Sequence, residues 1–137
     1  MVVLPLVRKL KKRIHREIAF AQDLLIQEVF RIFDSAILHG GTAIWRCYQS
    51  NRFSEDVDFY ISSKENKKIE KFFGELKNFG IKILKQKLTQ NALYSKLKYN
   101  EAEIRFEALF KEMKNFATKE YEMVDGTKIV VNTLPPE

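Results

Sequence analysis

The feature that most constrains this chain is a strict alternation, Asp56-Val57-Asp58-Phe59-Tyr60-Ile61. Side chains on a strand point alternately to opposite faces, so Val57, Phe59 and Ile61 share one face and Asp56, Asp58 and Tyr60 the other. The first set must point into a core. The second holds two carboxylates side by side on a rigid support. Their mutual repulsion raises one proton affinity unless a cation sits between them. A solvated face of a half-exposed strand would show the same alternation.

The remaining pattern supplies the layers around that strand. Over residues 5–34 apolar positions recur at helical spacing (Ile14, Ile18, Ala21, Leu25, Val29, Ile32 or Phe33) and predict a long helix. Its start carries Arg8, Lys9, Lys11, Lys12, Arg13, His15 and Arg16, cations that the positive end of a helix dipole disfavours. RNA phosphates or an acidic partner would account for them, as would a solvated helix start. Ala36-Ile37-Leu38 reads as a buried strand stopped by Gly40-Gly41, followed by a short helix over 42–49 with Thr42 as its N-cap. Residues 64–78 predict an amphipathic helix stopped by Gly80. Residues 81–88, 93–99 and 104–110 read as strands, and 116–124 and 128–134 flank the hairpin signal Asp125-Gly126. This order predicts an α+β domain: a mixed β-sheet with helices packed on one face.

With 137 residues and 45% hydrophobic content, the chain is read as one domain, 1–137, with 1–34 an N-terminal basic helix. The formal charge of +6 favours anionic partners, nucleic acid or nucleotide phosphates, without choosing between them. Cys47 is the single cysteine, so no disulfide forms within the chain, and no apolar run approaches a membrane span. A cytoplasmic protein with no membrane contact is expected.

A third carboxylate would complete a metal site. Glu103, Arg105 and Glu107 alternate with Ile104, Phe106 and Ala108. If that strand neighbours the aspartate strand, Glu107 or Glu103 reaches the two aspartates. Glu107 is preferred, because Asn100 and Glu101 fray the strand's start. Hard oxygen ligands suit Mg²⁺, and three carboxylates can hold two ions for in-line displacement at phosphorus. Gly40 and Gly41 let backbone approach a ligand closely, and N–H groups at a helix start bind phosphate. Arg52 can neutralise a phosphate, pair with Glu55, or stay solvated. Lys96 and Lys98 share one strand face and are read as phosphate contacts or a solvated surface. Arg46 faces solvent or the cleft, while Trp45 and Cys47 pack the short helix onto the sheet.

Leu38-His39-Gly40-Gly41-Thr42-Ala43-Ile44 followed by Arg52-Phe53-Ser54-Glu55-Asp56-Val57-Asp58-Phe59 resembles the AbiEii/AbiGii-type nucleotidyltransferases, the toxin-side proteins of abortive-infection, type IV toxin–antitoxin systems. The likeness is close over residues 38–60 and holds in element order from about residue 17. It implies a polymerase-β-type nucleotidyltransferase fold and Mg²⁺-dependent transfer of a nucleotide from an NTP to an RNA such as a tRNA end; transfer to a protein hydroxyl uses the same chemistry and is the other acceptor read here. It implies a cognate antitoxin as well. By the same resemblance Gly41 and Thr42 contact the triphosphate, Asp56 and Asp58 bind metal, and Glu107 is the third carboxylate. His39 stands where lysine is common. Members continue into a helical part beyond the segment ending at Glu137, a part this sequence is read as lacking. A nucleotide- or RNA-binding module without turnover, or a partner-binding protein of such a system, is the alternative.

Overall fold

The computed structural model describes residues 12–48 and 53–135. Arg52 and the cations Arg8, Lys9 and Lys11 lie outside these residues, as does the predicted helical stretch 5–11. In order come α1 (Arg13–Ile32), β1 (Ile37–His39), α2 (Gly40–Cys47), β2 (Asp56–Ile61), a 3-10 segment (Ser63–Lys68), α3 (Ile69–Asn78), β3 (Lys82–Leu88), β4 (Ala92–Tyr99), β5 (Ala102–Phe110), β6 (Ala117–Glu122) and β7 (Lys128–Thr133). The strands form one sheet in the order β3-β4-β5-β2-β1-β7-β6. It is mixed: β2 runs parallel to β5 and β1 parallel to β7, and the other neighbours are antiparallel.

The alternation along β2 sorts as its sequence demands. Val57, Phe59 and Ile61 are fully buried against α1 and α3, whose Ile18, Ala21, Leu25, Val29, Phe72 and Leu76 fill the same core. Burying such side chains is the main stabilising term, about 2 kcal/mol for each large aliphatic or aromatic residue. Phe106, Ala108, Leu93 and Leu97 extend that face across β5 and β4. The opposite face of β2 and β5, carrying Asp56, Asp58, Arg105 and Glu107, is only partly covered.

Several element ends differ from expectation for local reasons. Ile14, placed on the core stripe by its spacing, is 38% exposed, one turn before the sheet begins to cover α1. The stretch 64–78 opens as a 3-10 segment, because Ser62 caps it by accepting from the Lys64 N–H and Glu65 folds back onto the turn after α1. Its end is as read: Gly80 adopts φ +81°, the Gly80 N–H reaches the Lys77 carbonyl and the Ile81 N–H reaches Leu76. The start of β5 is not frayed. Asn100, at φ +52°, and Glu101 make a tight turn that pairs Tyr99 with Ala102. The Asp125-Gly126 hairpin forms between β6 and β7, with the Asp125 carboxylate accepting from the Thr127 N–H and hydroxyl.

Candidate active site

The site grows from the register between β2 and β5. Asp56 lies opposite Arg105, and Asp58 opposite Glu107. Neighbouring strands are about 4.8 Å apart, so Asp58 and Glu107 are held as close neighbours on the open face. Glu103 lies at the start of β5, across from Lys98, and bonds Lys96 at 3.3 Å. The register therefore brings Glu107, not Glu103, beside the aspartates.

The glycine turn abuts this pair from β1. His39, the last residue of β1, lies opposite Asp58, and α2 begins at once with Gly40. Gly40 has φ +82°, and a Cβ there would sit 2.6 Å from Asp58 Oδ2. A Cβ on Gly41 would sit 2.9 Å from Ser54 Oγ. Both glycines thus let the helix start press against the aspartate strand and the loop before it. Thr42 is not the N-cap: the helix already runs through it, and His39 holds the cap position without a side-chain bond. Thr42 is fully buried and bonds the Asp56 carbonyl and the Ser54 hydroxyl, so its hydroxyl ties α2 to the aspartate strand.

The open face crowds like charges together. Burial, and then the charges of Glu107 and Asp56, push the Asp58 carboxyl up to about 6, with Arg105 acting the other way. Arg105 Nε donates to Asp56 Oδ1 at 3.0 Å and Nη2 to Oδ2 at 3.4 Å. This pair is exposed, 65% for Arg105 and 41% for Asp56. Among the described residues no three histidine, cysteine or acidic side chains are arranged to hold a metal ion. Asp56 is turned to Arg105, which leaves Asp58 and Glu107 as the facing carboxylates. The donor set nonetheless suits a hard divalent cation: oxygen ligands, crowded like charges, and a glycine where any Cβ would fill the cradle.

Two cavities meet at these carboxylates. One, of about 750 Å³, is lined by Gly41, Ile44, Phe53, Ser54, Asp58 and Arg105 among others. The second, of about 730 Å³, lies over β3, β4 and β5. Asp56 and Arg105 line both.

A buried network that sequence reading missed supports the site from behind. Gln22 of α1, fully buried, donates to the Ser54 carbonyl at 2.8 Å and to Thr42 Oγ1 at 3.4 Å. Arg46 faces neither solvent nor cleft. It is buried, with Nη1 donating to Asp23 Oδ1 at 2.9 Å and to the Glu122 carbonyl at 2.7 Å, and Nη2 to the Ala19 carbonyl at 2.9 Å. Asp23 also accepts from the Tyr121 hydroxyl and the Val124 N–H. The signal was there: Gln22 and Asp23 interrupt an apolar helix flank between Ala19 and Ile26, and a buried charge requires a partner. Trp45 does pack α2 down, but on Ala19, Val124 and Phe53 and on the Arg46 guanidinium, not on the sheet as expected.

Among the basic residues, Lys12, Arg13 and Arg16 are exposed at the start of α1, where the first turn holds no acid. Arg13 bonds Glu17 at 3.2 Å. His15 stacks on Phe53 at 4.0 Å, which sets this helix start beside the loop leading into β2.

An open sheet face with facing carboxylates on adjacent parallel strands, closed at one end by a Gly-Gly helix start, is the nucleotidyltransferase fold. Solved structures share it. The chain is similar to MenT4, the nucleotidyltransferase toxin Rv2826c of Mycobacterium tuberculosis H37Rv (TM-score 0.62, 13% identity, 95% of this chain and 52% of that one). It is also similar to JHP933 from Helicobacter pylori (TM-score 0.60, 16% identity, 90% and 53%). It therefore spans about half the length of each. No curated protein matches it. The profile of the nucleotidyl transferase AbiEii toxins, type IV toxin–antitoxin system, matches residues 24–131, and the chain belongs to that family. Among the described residues no helix is long and apolar enough to cross a membrane.

Proposed function

We propose that this chain carries the transferase chemistry of a type IV toxin, moving a nucleotide from an NTP to an RNA hydroxyl in the cytoplasm. The observation that supports this most is the register that sets Glu107 beside Asp58, with Gly40 closed against the same aspartate. Asp56, Asp58 and Glu107 would hold Mg²⁺ once Asp56 leaves Arg105. A divalent ion bound there supplies charge stabilisation to the transferring phosphoryl group and its leaving group. The N–H groups at the start of α2, including those of Gly40 and Gly41, receive phosphate oxygens. Arg52, which precedes Phe53 in the sequence, and Arg105, once free of Asp56, would supply positive charge to the triphosphate. Glu107 takes the proton of the attacking hydroxyl. The new O–P bond forms at the α-phosphorus as the bond to pyrophosphate breaks, and pyrophosphate leaves with the electron pair. A cognate antitoxin would meet the acid-poor, basic start of α1, where Lys12, Arg13 and Arg16 continue the cluster of Arg8, Lys9 and Lys11.

Label transfer tests this reading. The protein is incubated with Mg²⁺, each α-labelled NTP and total RNA, beside Asp56→Ala and Asp58→Ala. Label on RNA that is lost in both variants is expected. Label confined to protein bands keeps the chemistry and replaces the acceptor. No label, with NTP binding intact, would favour a nucleotide-binding module without turnover. That second reading is supported by the fact that Asp56 is engaged by Arg105 and does not join Asp58 and Glu107.

A further inference from the structure

The helix layer stops short of one edge of the sheet. β3 is an edge strand, with β4 as its one neighbour among the described residues. Its register puts Ile83, Gln86 and Leu88 on the helix-covered face, opposite Leu97, Ser95 and Leu93. Leu93 and Leu97 are buried, yet Leu88 is 57% exposed and Gln86 is exposed as well. A groove of about 460 Å³ runs between α3 and this strand, with Ile69, Phe73, Ile83, Leu88 and Leu93 in its wall. Gly74, inside α3, lines the same groove. A glycine inside a helix is destabilising relative to alanine. Nothing in this chain requires it there, because a Cβ on Gly74 would meet no atom within 4 Å. Charge gathers at the same edge. Residues 63–99 hold ten lysines and three glutamates as their only charged residues, an excess larger than the +6 of the whole chain. Lys85 and Lys87 of β3 lie opposite Lys96 and Tyr94 on the open face, and both are exposed.

We infer that the free edge of β3 and the groove beside it take an extended segment of another protein, one that alternates acidic and apolar residues and adds to the seven-stranded sheet as a further strand. The inference stands whether or not the chain is a transferase. A strand laid beside β3 continues its alternation. Side chains on its helix side enter the groove against Phe73, Ile83 and Leu88, and Gly74 leaves room for their approach. Side chains on its other face lie against Lys85 and Lys87, where carboxylates are the matching partners. Its backbone pairs the outward N–H and C=O groups that an edge strand leaves free. Lysines on an edge strand commonly guard it against pairing. Here the guard is selective. A second copy of β3 would set lysine against lysine, whereas an acidic strand is attracted. A nucleic acid would answer the lysines and leave the apolar groove and its glycine without a purpose.

The probe is a phage-displayed library of random peptides of about twelve residues, longer than a typical strand, panned against the full chain. Enriched sequences are expected to alternate acidic and apolar residues. The best is then synthesised with a fluorophore and titrated by anisotropy. Gly74→Leu fills the groove and is expected to weaken binding about tenfold, with a melting temperature at or above that of wild type. Lys85→Glu/Lys87→Glu is expected to weaken binding about tenfold as well, and to remove its dependence on salt. A peptide N-methylated at alternate residues is expected not to bind, since it has lost the N–H groups that pair with β3. A selection without the acidic–apolar alternation would overturn the inference. So would wild-type affinity in Gly74→Leu, or binding by the N-methylated peptide. Labelled single-stranded RNA that binds wild type and is lost in both variants, with no peptide selected, would assign the edge to nucleic acid and overturn it too.

Discussion

Two arginine–aspartate pairs in this molecule have nearly the same length and opposite roles. Arg46–Asp23 is 2.9 Å and essentially closed to solvent, 0% and 5% exposed. Arg105–Asp56 is 3.0 Å and stands in the open, 65% and 41% exposed. In the first, each partner is held by further hydrogen bonds from α1, β6 and the hairpin turn, so no exchange is available. In the second, water screens the attraction and an exposed pair is worth about 0–1 kcal/mol. A cation or a phosphate can displace either partner at little cost. The buried pair is a structural joint, and the exposed pair is a resting contact on the open face that is proposed to take charged substrates.

The sharpest way to break this contrast is to cut each pair. Arg46→Ala leaves Asp23 buried and unpaired and is expected to cost about 3–5 kcal/mol. That is a large share of a typical domain stability of about 5–15 kcal/mol, so chemical denaturation should show a marginal or unfolded variant. Gly40→Ala comes next. It forces a side chain into a left-handed backbone and against Asp58 Oδ2. A loss of about 1–3 kcal/mol is expected, with nucleotide transfer abolished in the fraction that folds.

Glu65 gives a smaller, pH-dependent effect on the closed side of the molecule. Burial alone would raise its carboxyl. Bonds from Lys68, from the Ser35 hydroxyl and N–H, and from the Asp34 N–H outweigh it and bring the value down to about 2. A folded value below the unfolded one means that the contribution is present above about pH 4.5 and is lost as pH falls towards 2. Glu65→Gln is therefore expected to lower stability by about 2 kcal/mol at pH 7, with the gap to wild type closing through that window in acid-denaturation curves. Smallest is Arg105→Ala. It is expected to change stability by no more than about 1 kcal/mol, while Mn²⁺ binds more tightly because Asp56 has lost its competitor. A large loss of stability there would erase the contrast between the two pairs.

What was legible in the sequence followed from periodicity and special residues. The alternation of β2, the stop at Gly80 and the Asp125-Gly126 hairpin each have one cheap local solution, and the resemblance over residues 38–60 pointed to the family. The open face was legible for the same reason, since Asp56, Asp58 and Glu107 cannot turn inward. What stayed hidden depended on contacts between distant segments. Thr42 read as a cap because caps and inward hydroxyls use the same residue, and only the approach of Ser54 and Asp56 decides between them. Arg46 read as a surface or cleft residue because its partner Asp23 lies two elements earlier, in α1. The partner of Arg105 could be known only once β2 and β5 were in parallel register.

The most direct test of the open-face site compares wild type with Asp58→Asn for Mn²⁺-NTP binding by calorimetry and for thermal stability. Asp58 is crowded by Glu107 and Asp56, so removing its charge should relieve repulsion. The expected result is lost or strongly weakened Mn²⁺-NTP binding with a melting temperature equal to or above that of wild type. Wild-type binding by Asp58→Asn would contradict the site, and a sharp fall in melting temperature would show that Asp58 holds the fold together instead of serving a ligand.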